Sequence, residues 1–339
     1  MLSLLVLLVC SVPALATGLL QEQFDHLGPQ VKTLESPVSG RTISFVDEGA
    51  ADWHPVLFLG GGGTSVRVMA LTNHLRTTRE NLRLRFISVQ RNGFGETPFD
   101  DSLGYADYLQ DVEDVLAHLG IGRYSLFAIS GGGPYAAAIA NAHHDRLRSL
   151  HLASALTWFA PDALECLVPP EALTVFTRDP RAWFGFATDS PVQGIPGFQD
   201  SAYDDAARTF NLGGQSGDPA ALHHELRLYC DNPTLPDLTA VTAPAFLYYG
   251  DADTTTPPDT HLPRWREALP NAAITVRLDP GAGHDAQYRH LDQILVDLAG
   301  LQKRIVVCNG KGRTLLVRAH RADRILDSGG FLGICAWGE

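Results

Sequence analysis

Apolar positions in this chain gather into short dense runs separated by stretches of helical spacing. Val56–Leu59, Phe86–Val89, Tyr124–Ile129 and Ala245–Tyr249 have strand length and are mostly apolar, and Leu147–Leu152 has strand length with Leu147, Leu150 and Leu152 as its apolar positions. Runs of this kind predict buried strands, and their alternation with helical patterns predicts a mostly parallel sheet flanked by helices. Arg41–Asp47 alternates and predicts an earlier strand, and Ile274–Leu278 predicts the last strand of the core. Helices are expected over Ser65–Arg79, Tyr135–Ala142 behind Pro134, and Leu262–Leu269. The clearest helical signal is 105–119, where Tyr108, Leu109, Val112, Val115, Leu116 and Leu119 share a face and Asp107, Asp111, Glu113 and Asp114 point mostly outward. Tyr288, Leu291, Ile294, Leu295 and Leu298 give a final helix its buried face.

The pattern changes over 158–238, where prolines, aromatics and small residues mix with short helical pieces at Asp204–Phe210 and Ala220–Tyr229. The sheet pattern resumes afterwards, so this stretch reads as a helical cap inserted into a core formed by 17–157 and 239–301. Residues 302–339 form a C-terminal extension. In it, Arg304–Cys308 and Arg313–Val317 flank Asn309-Gly310-Lys311-Gly312, a hairpin signal. The last residues of the extension carry no pattern.

Composition narrows the class. Apolar residues make up 45% and charged residues 19%, which fits a folded domain with a sizeable core. Lys and Arg number 26 against 38 for Asp and Glu, a net charge of −12 that repels phosphate backbones and argues against nucleic-acid binding. Met1–Leu20 carry no charged side chain, Leu4–Val9 is apolar, and Ala14-Leu15-Ala16 has the small-x-small form of a cleavage site. Residues 1–16 therefore read as a signal peptide and the protein as secreted, with a cytoplasmic protein as the alternative. Pro13 cuts the apolar segment well short of the ~20 residues of a spanning helix, so stable membrane insertion is not expected. Without Cys10 the chain keeps Cys166, Cys230, Cys308 and Cys335. Of their three possible pairings, Cys166–Cys230 with Cys308–Cys335 is the most local, and four buried free thiols are the alternative.

The chemistry-bearing residues sit where predicted strands end. Ser130 stands between a buried strand and a glycine-led helix, in Ala128-Ile129-Ser130-Gly131-Gly132. A serine held on such a turn is the arrangement of a nucleophile elbow, and the Gly131 N–H at the helix start is placed to meet a developing oxyanion. Gly60–Gly63 follow an earlier strand and could supply a second donor, Gly62 before Gly61. The glycines are consecutive and Thr64-Ser65 lacks a lysine, which excludes a dinucleotide fingerprint and a P-loop. His284 follows the last core strand, and Asp253, with Asp251 as its rival, follows the strand before it. Serine needs a base, and the base needs an orienting acid, so Ser130, His284 and Asp253 form a candidate triad. Among the 13 histidines, His290 reads as structural, and His143, His144, His223 and His224 as surface or cap residues.

Phe58–Gly63, Gln90–Gly95, Ala128–Tyr135, Gly250–Asp253 and Gly283-His284 resemble, in order and spacing, the α/β-hydrolase superfamily across about residues 40–300. The resemblance implies an α/β-hydrolase sheet with an inserted cap and a triad of Ser130, Asp253 and His284. The family's oxyanion loop begins His-Gly where this chain has Gly60-Gly61, so the loop is expected to lack a supporting histidine and to be looser. Serine at the elbow argues against the haloalkane dehalogenase and epoxide hydrolase branches, and the tryptophan after serine typical of proline iminopeptidases is missing.

The expected activity is hydrolysis of a small to medium ester or lactone through an acyl-enzyme intermediate, with no metal and no organic cofactor. Trp158, Phe159, Trp183 and Phe186 are candidate pocket residues, alongside Phe176 and Phe184, although most could instead pack the cap. The alternatives are lyase, cyclase or acyltransferase chemistry on the same scaffold, or a small-molecule-binding protein with little turnover.

Overall fold

The computed structural model describes residues 29–175, 219–301, 303–333 and 335. The signal peptide expected at 1–16, the helix expected at Asp204–Phe210, and Phe176, Trp183, Phe184 and Phe186 lie outside the described residues. Eight strands form one sheet: β1 (Val31–Glu35), β2 (Thr42–Glu48), β3 (His54–Leu59), β4 (Leu84–Val89), β5 (Tyr124–Ile129), β6 (Leu147–Ala153), β7 (Ala245–Gly250) and β8 (Ile274–Asp279). Their order is β1-β2-β4-β3-β5-β6-β7-β8. β2 runs antiparallel to both β1 and β4, and every pair from β4 through β8 is parallel. The mostly parallel sheet flanked by helices agrees with the sequence reading. β1 had given no signal, because it is an edge strand with only Val31 and Leu34 partly covered.

All residues of β4, β5 and β7 are buried, which is why those segments read as dense apolar runs even with Arg85, Ser88 and Ser125 among them. Period-two geometry divides their side chains between two cores. Leu57, Leu59, Leu126 and Ala128 pack on one face with helices α2 (Tyr105–His118) and α3 (Gly132–Ala142). Val56, Phe58, Phe127 and Ile129 pack on the other, against the 3₁₀ turn Val66–Leu75 and the C-terminal core helices.

The expected helix at Ser65–Arg79 divides into that 3₁₀ turn, started by Ser65 accepting from the Arg67 N–H, and a short α1 (Arg76–Asn81). On α2, Asp114 is buried instead of facing out. The β1–β2 turn folds over it, and Ser36 Oγ and Gln110 Nε2 donate to its carboxylate. His143 is also buried, between the Tyr124 hydroxyl and Glu113, so the expectation of a surface or cap position fails for it.

After β6 the chain leaves the sheet and returns at β7. The described parts of this excursion include α4 (Leu164–Leu167) and α5 (Ala220–Asp231), joined by a Cys166–Cys230 disulfide. α6 (Pro258–Ala268) begins ahead of the expected Leu262, because proline is favourable in a first helical turn. The last core helix breaks at His290 into α7 (Ala286–Arg289) and α8 (Leu291–Leu298). Beyond it, β9 (Arg304–Cys308) and β10 (Thr314–Arg318) form the expected hairpin. The patternless end supplies α9 (Ala319–Leu326) and β11 (Phe331–Leu332), which pairs with β9, and a second disulfide joins Cys308 to Cys335. Both disulfides follow the most local pairing. No helix among the described residues is long and apolar enough to cross a membrane.

Candidate active site

Parallel strands release their chain at one edge of the sheet, and that edge collects the loops in which the sequence placed its chemistry. β5 runs into Ser130, which has φ +82°, an uncommon conformation for a residue with a side chain. Two amides hold the Ser130 carbonyl in place, Gly133 N at 2.9 Å and Leu156 N at 2.8 Å. The turn can be this tight only because α3 starts with glycines. A Cβ on Gly133 would lie 2.0 Å from the Leu156 carbonyl oxygen, and one on Gly132 would lie 2.8 Å from the Gly60 and Leu59 oxygens.

Ser130 Oγ is 3.0 Å from His284 Nε2, and His284 Nδ1 is 2.9 Å from Asp253 Oδ2. An alcohol, an imidazole and a carboxylate thus stand in one hydrogen-bonded line, which can carry a proton away from the alcohol. Asp253 is buried, and its Oδ1 accepts from the Thr255 and Thr256 amides, each at 2.9 Å. The Thr256 hydroxyl lies 2.8 Å from Oδ2. Asp251, the rival, is exposed and accepts instead from the Gly281 amide.

Burial pushes the Asp253 carboxyl up, but hydrogen bonds from His284 and Thr256 outweigh it and hold the group below the usual carboxylate value. With the folded value below the unfolded one of about 3.9, ionised Asp253 adds stability that is present above the unfolded value. That stability is lost as pH falls through the folded value. Asp253→Asn is therefore expected to unfold with a weaker pH dependence than the parent below about pH 4. Urea midpoints measured across the acid range would show this, and parallel curves for the two proteins would contradict it.

The glycine loop after β3 lies against the start of α3. A Cβ on Gly131 would sit 2.6 Å from Gly62 N, and a Cβ on Gly61 would sit 3.5 Å from Ser130 Cβ. The structure therefore brings the Gly62 and Gly131 backbones together beside Ser130. The loop is not loose, contrary to the expectation drawn from the missing histidine. Arg91, buried at the end of β4, donates to the carbonyls of Gly61 and Thr64, and more distantly to Gly60. Glu225, from α5, accepts from the Gly63 amide and pairs with Arg91 at 3.1 Å. Burial alone would lower the Arg91 pKa, but Glu225 more than compensates and the guanidinium stays charged. Its Cζ lies over the Tyr135 ring, 5.1 Å from the centroid.

The Gln90–Gly95 turn is visible in the sequence, but this clamp is not. The available signal was Glu225 within the apolar stripe Leu222, Leu226 and Tyr229, a charge on a face that helical spacing turns inward. Tyr229, one turn beyond Glu225, is 2% exposed and packs edge-on against Phe159 and Tyr135. Burial first, and then the Glu225 charge, push its phenol well above the ordinary value, so it stays a neutral donor.

A cleft of about 510 Å³ opens on Ser130, His284, Gly62 and Gly131. Its walls include Val68, Ile129, Leu156, Phe159, Val168 and Leu226, with Glu165, Thr255 and Gln287 as polar points. Phe159 thus lies in the wall. Trp158 does not; it stacks under the Arg264 guanidinium, which is 4.0 Å from its ring centre. Among the described residues no group of three or more His, Cys, Asp or Glu side chains is placed to hold a metal ion.

The family model for the alpha/beta hydrolase fold matches residues 54–291. Solved structures of similar fold include a thermophilic esterase from Thermogutta terrifontis, with 18% identity over 80% of this chain and 97% of that chain and a TM-score of 0.56. The 2-hydroxy-6-oxo-6-phenylhexa-2,4-dienoate hydrolase of Rhodococcus sp. strain RHA1 is 17% identical over 79% of this chain and 99% of that one, with a TM-score of 0.60. An epoxide hydrolase from Vigna radiata is 16% identical over 81% and 98%, also with a TM-score of 0.60. At these identities the likeness is one of fold. No curated protein matches the chain.

Proposed function

The chain belongs to the α/β-hydrolase fold family, and from that premise we propose that it is a serine hydrolase cleaving small to medium carboxylic esters or lactones. The observation that carries this reading is the line from Ser130 Oγ through His284 to Asp253, with links of 3.0 and 2.9 Å. His284 Nε2 takes the Ser130 proton as Oγ attacks the substrate carbonyl, and Asp253 fixes the tautomer and stabilises the imidazolium. The amides of Gly131 and Gly62 hold the oxyanion. His284 then protonates the leaving oxygen and activates the water that releases the acyl group.

The cleft supports the substrate class. Its volume lies within the roughly 300–1,000 Å³ of small-molecule sites, and its aliphatic and aromatic walls suit an apolar acyl or alcohol group. An esterase among the structures of similar fold agrees with this class. Phe159, Val168, Leu226 and Tyr229, from the described parts of the excursion after β6, would contact such a substrate. The two disulfides favour an oxidising compartment, in keeping with a secreted protein.

A fluorophosphonate probe is expected to label the protein at Ser130, read by peptide mass spectrometry, and p-nitrophenyl butyrate is expected to turn over. A protein that takes no label and hydrolyses neither short nor medium esters would refute the reading.

A further inference from the structure

Tyr229 presents a hydroxyl that the serine-hydrolase mechanism above leaves unused. It is 2% exposed, and its oxygen has no hydrogen-bond partner among the described residues. Buried hydroxyls are nearly always paired, so an orphaned one needs an explanation. Its position is specific. The oxygen stands 2.7 Å from where a Gly131 side chain would begin and 3.6 Å from the same point on Gly62. The two residues proposed as oxyanion donors are thus two that leave room for this hydroxyl. Tyr229 is also part of the cleft wall.

The ring is fixed by contacts that do not involve the hydroxyl. Phe159 and Tyr135 meet it edge-on, with centroids 6.1 and 6.4 Å away. Glu225, one turn back on α5, is occupied by Gly63 and Arg91. A fixed donor beside the Gly131 and Gly62 backbones, without a partner in the resting protein, is what electrostatic preorganisation requires.

We propose that the Tyr229 hydroxyl is a third oxyanion donor, acting with the Gly131 and Gly62 amides; this rests on the serine-hydrolase reading. As Ser130 Oγ bonds to the carbonyl carbon, the C=O π pair moves onto oxygen and the Oγ proton passes to His284 Nε2. Tyr229 donates a hydrogen bond to the new oxyanion and keeps its proton. On collapse the pair returns to the C=O bond, the bond to the leaving oxygen breaks, and His284 protonates that oxygen. The orphaned donor finds its partner only while the tetrahedral species exists, so its effect falls on the rate of the step and little on ground-state binding.

The test compares Tyr229→Phe with the parent on p-nitrophenyl butyrate. The expected result is a fall in kcat of about 10- to 10²-fold with KM nearly unchanged. Inhibition by an alkyl boronic acid, which mimics the tetrahedral adduct, should weaken by a similar factor. The Tm should hold or rise, because the variant buries no unpaired hydroxyl. A variant with the parent's kcat, or one whose loss is matched by a fallen Tm, overturns the role for Tyr229 while ester turnover by the parent still stands. A parent that neither turns over esters nor takes the fluorophosphonate label at Ser130 overturns the underlying reading, and this proposal with it.

Discussion

Ser130→Ala is expected to leave a folded protein with ester turnover reduced by roughly 10⁴- to 10⁶-fold, the scale on which serine enzymes fail when the nucleophile is removed. His284 and Asp253 remain hydrogen-bonded to each other without the hydroxyl, and alanine keeps the Cβ, so neither cleft nor core changes. The residual rate would come from the oxyanion donors and substrate binding alone. Ser130→Gly offers a sharper contrast. The parent holds a side chain at φ +82°, where glycine sits without penalty. The glycine protein should be equally inactive yet more stable, by about 1 kcal/mol. Thermal melts beside kinetics on p-nitrophenyl butyrate decide both points. A Ser130→Ala protein that retains activity within an order of magnitude of the parent would remove Ser130 from the chemistry.

Arg91→Ala should produce the largest change in stability, about 3–5 kcal/mol, because it strands the Glu225 carboxylate in the interior. Arg91 and Glu225 are 5% and 2% exposed, so the pair is shielded from solvent. The arginine also supplies donors to the Gly60, Gly61 and Thr64 carbonyls, which would be left without them. Loss of activity is expected to accompany loss of stability, since those carbonyls belong to the loop that carries Gly62. The double change Arg91→Met with Glu225→Gln should cost less than Arg91→Ala alone, because no buried charge is left over. Urea unfolding of the three proteins would show this ordering. An additive double variant, or an Arg91→Ala protein as stable as the parent, would mean that the pair is no clamp.

Much of the fold was legible because parallel strands covered on both faces are mostly apolar, as Phe86–Val89 and Tyr124–Ile129 are apart from Ser88 and Ser125. Helix 105–119 was equally plain, since one face meets the sheet. The candidate triad could be read because each member stands at the carboxyl end of a strand, a position the sequence marks with glycine, proline and small residues. What escaped reading depends on distance along the chain. Nothing near Glu225 names Arg91, and nothing near Arg91 names the loop it braces. The seating of Tyr229 beside Gly131 follows from the return path of the excursion after β6, which no local pattern encodes. β1 escaped for a different reason: an edge strand with little coverage carries little hydrophobic signal.

One turn and a little more of α5 carries Glu225, Leu226 and Tyr229, with Cys230 tethering the helix just beyond. The same rigid element thus shapes the cleft wall through Leu226 and Tyr229 and steadies the Gly60–Gly63 loop through Glu225. On the proposed function, selectivity and rate are expected to be coupled through this helix. Substitutions that remodel the acyl pocket from this helix will shift the loop as well, so broadening substrate range from α5 should cost turnover.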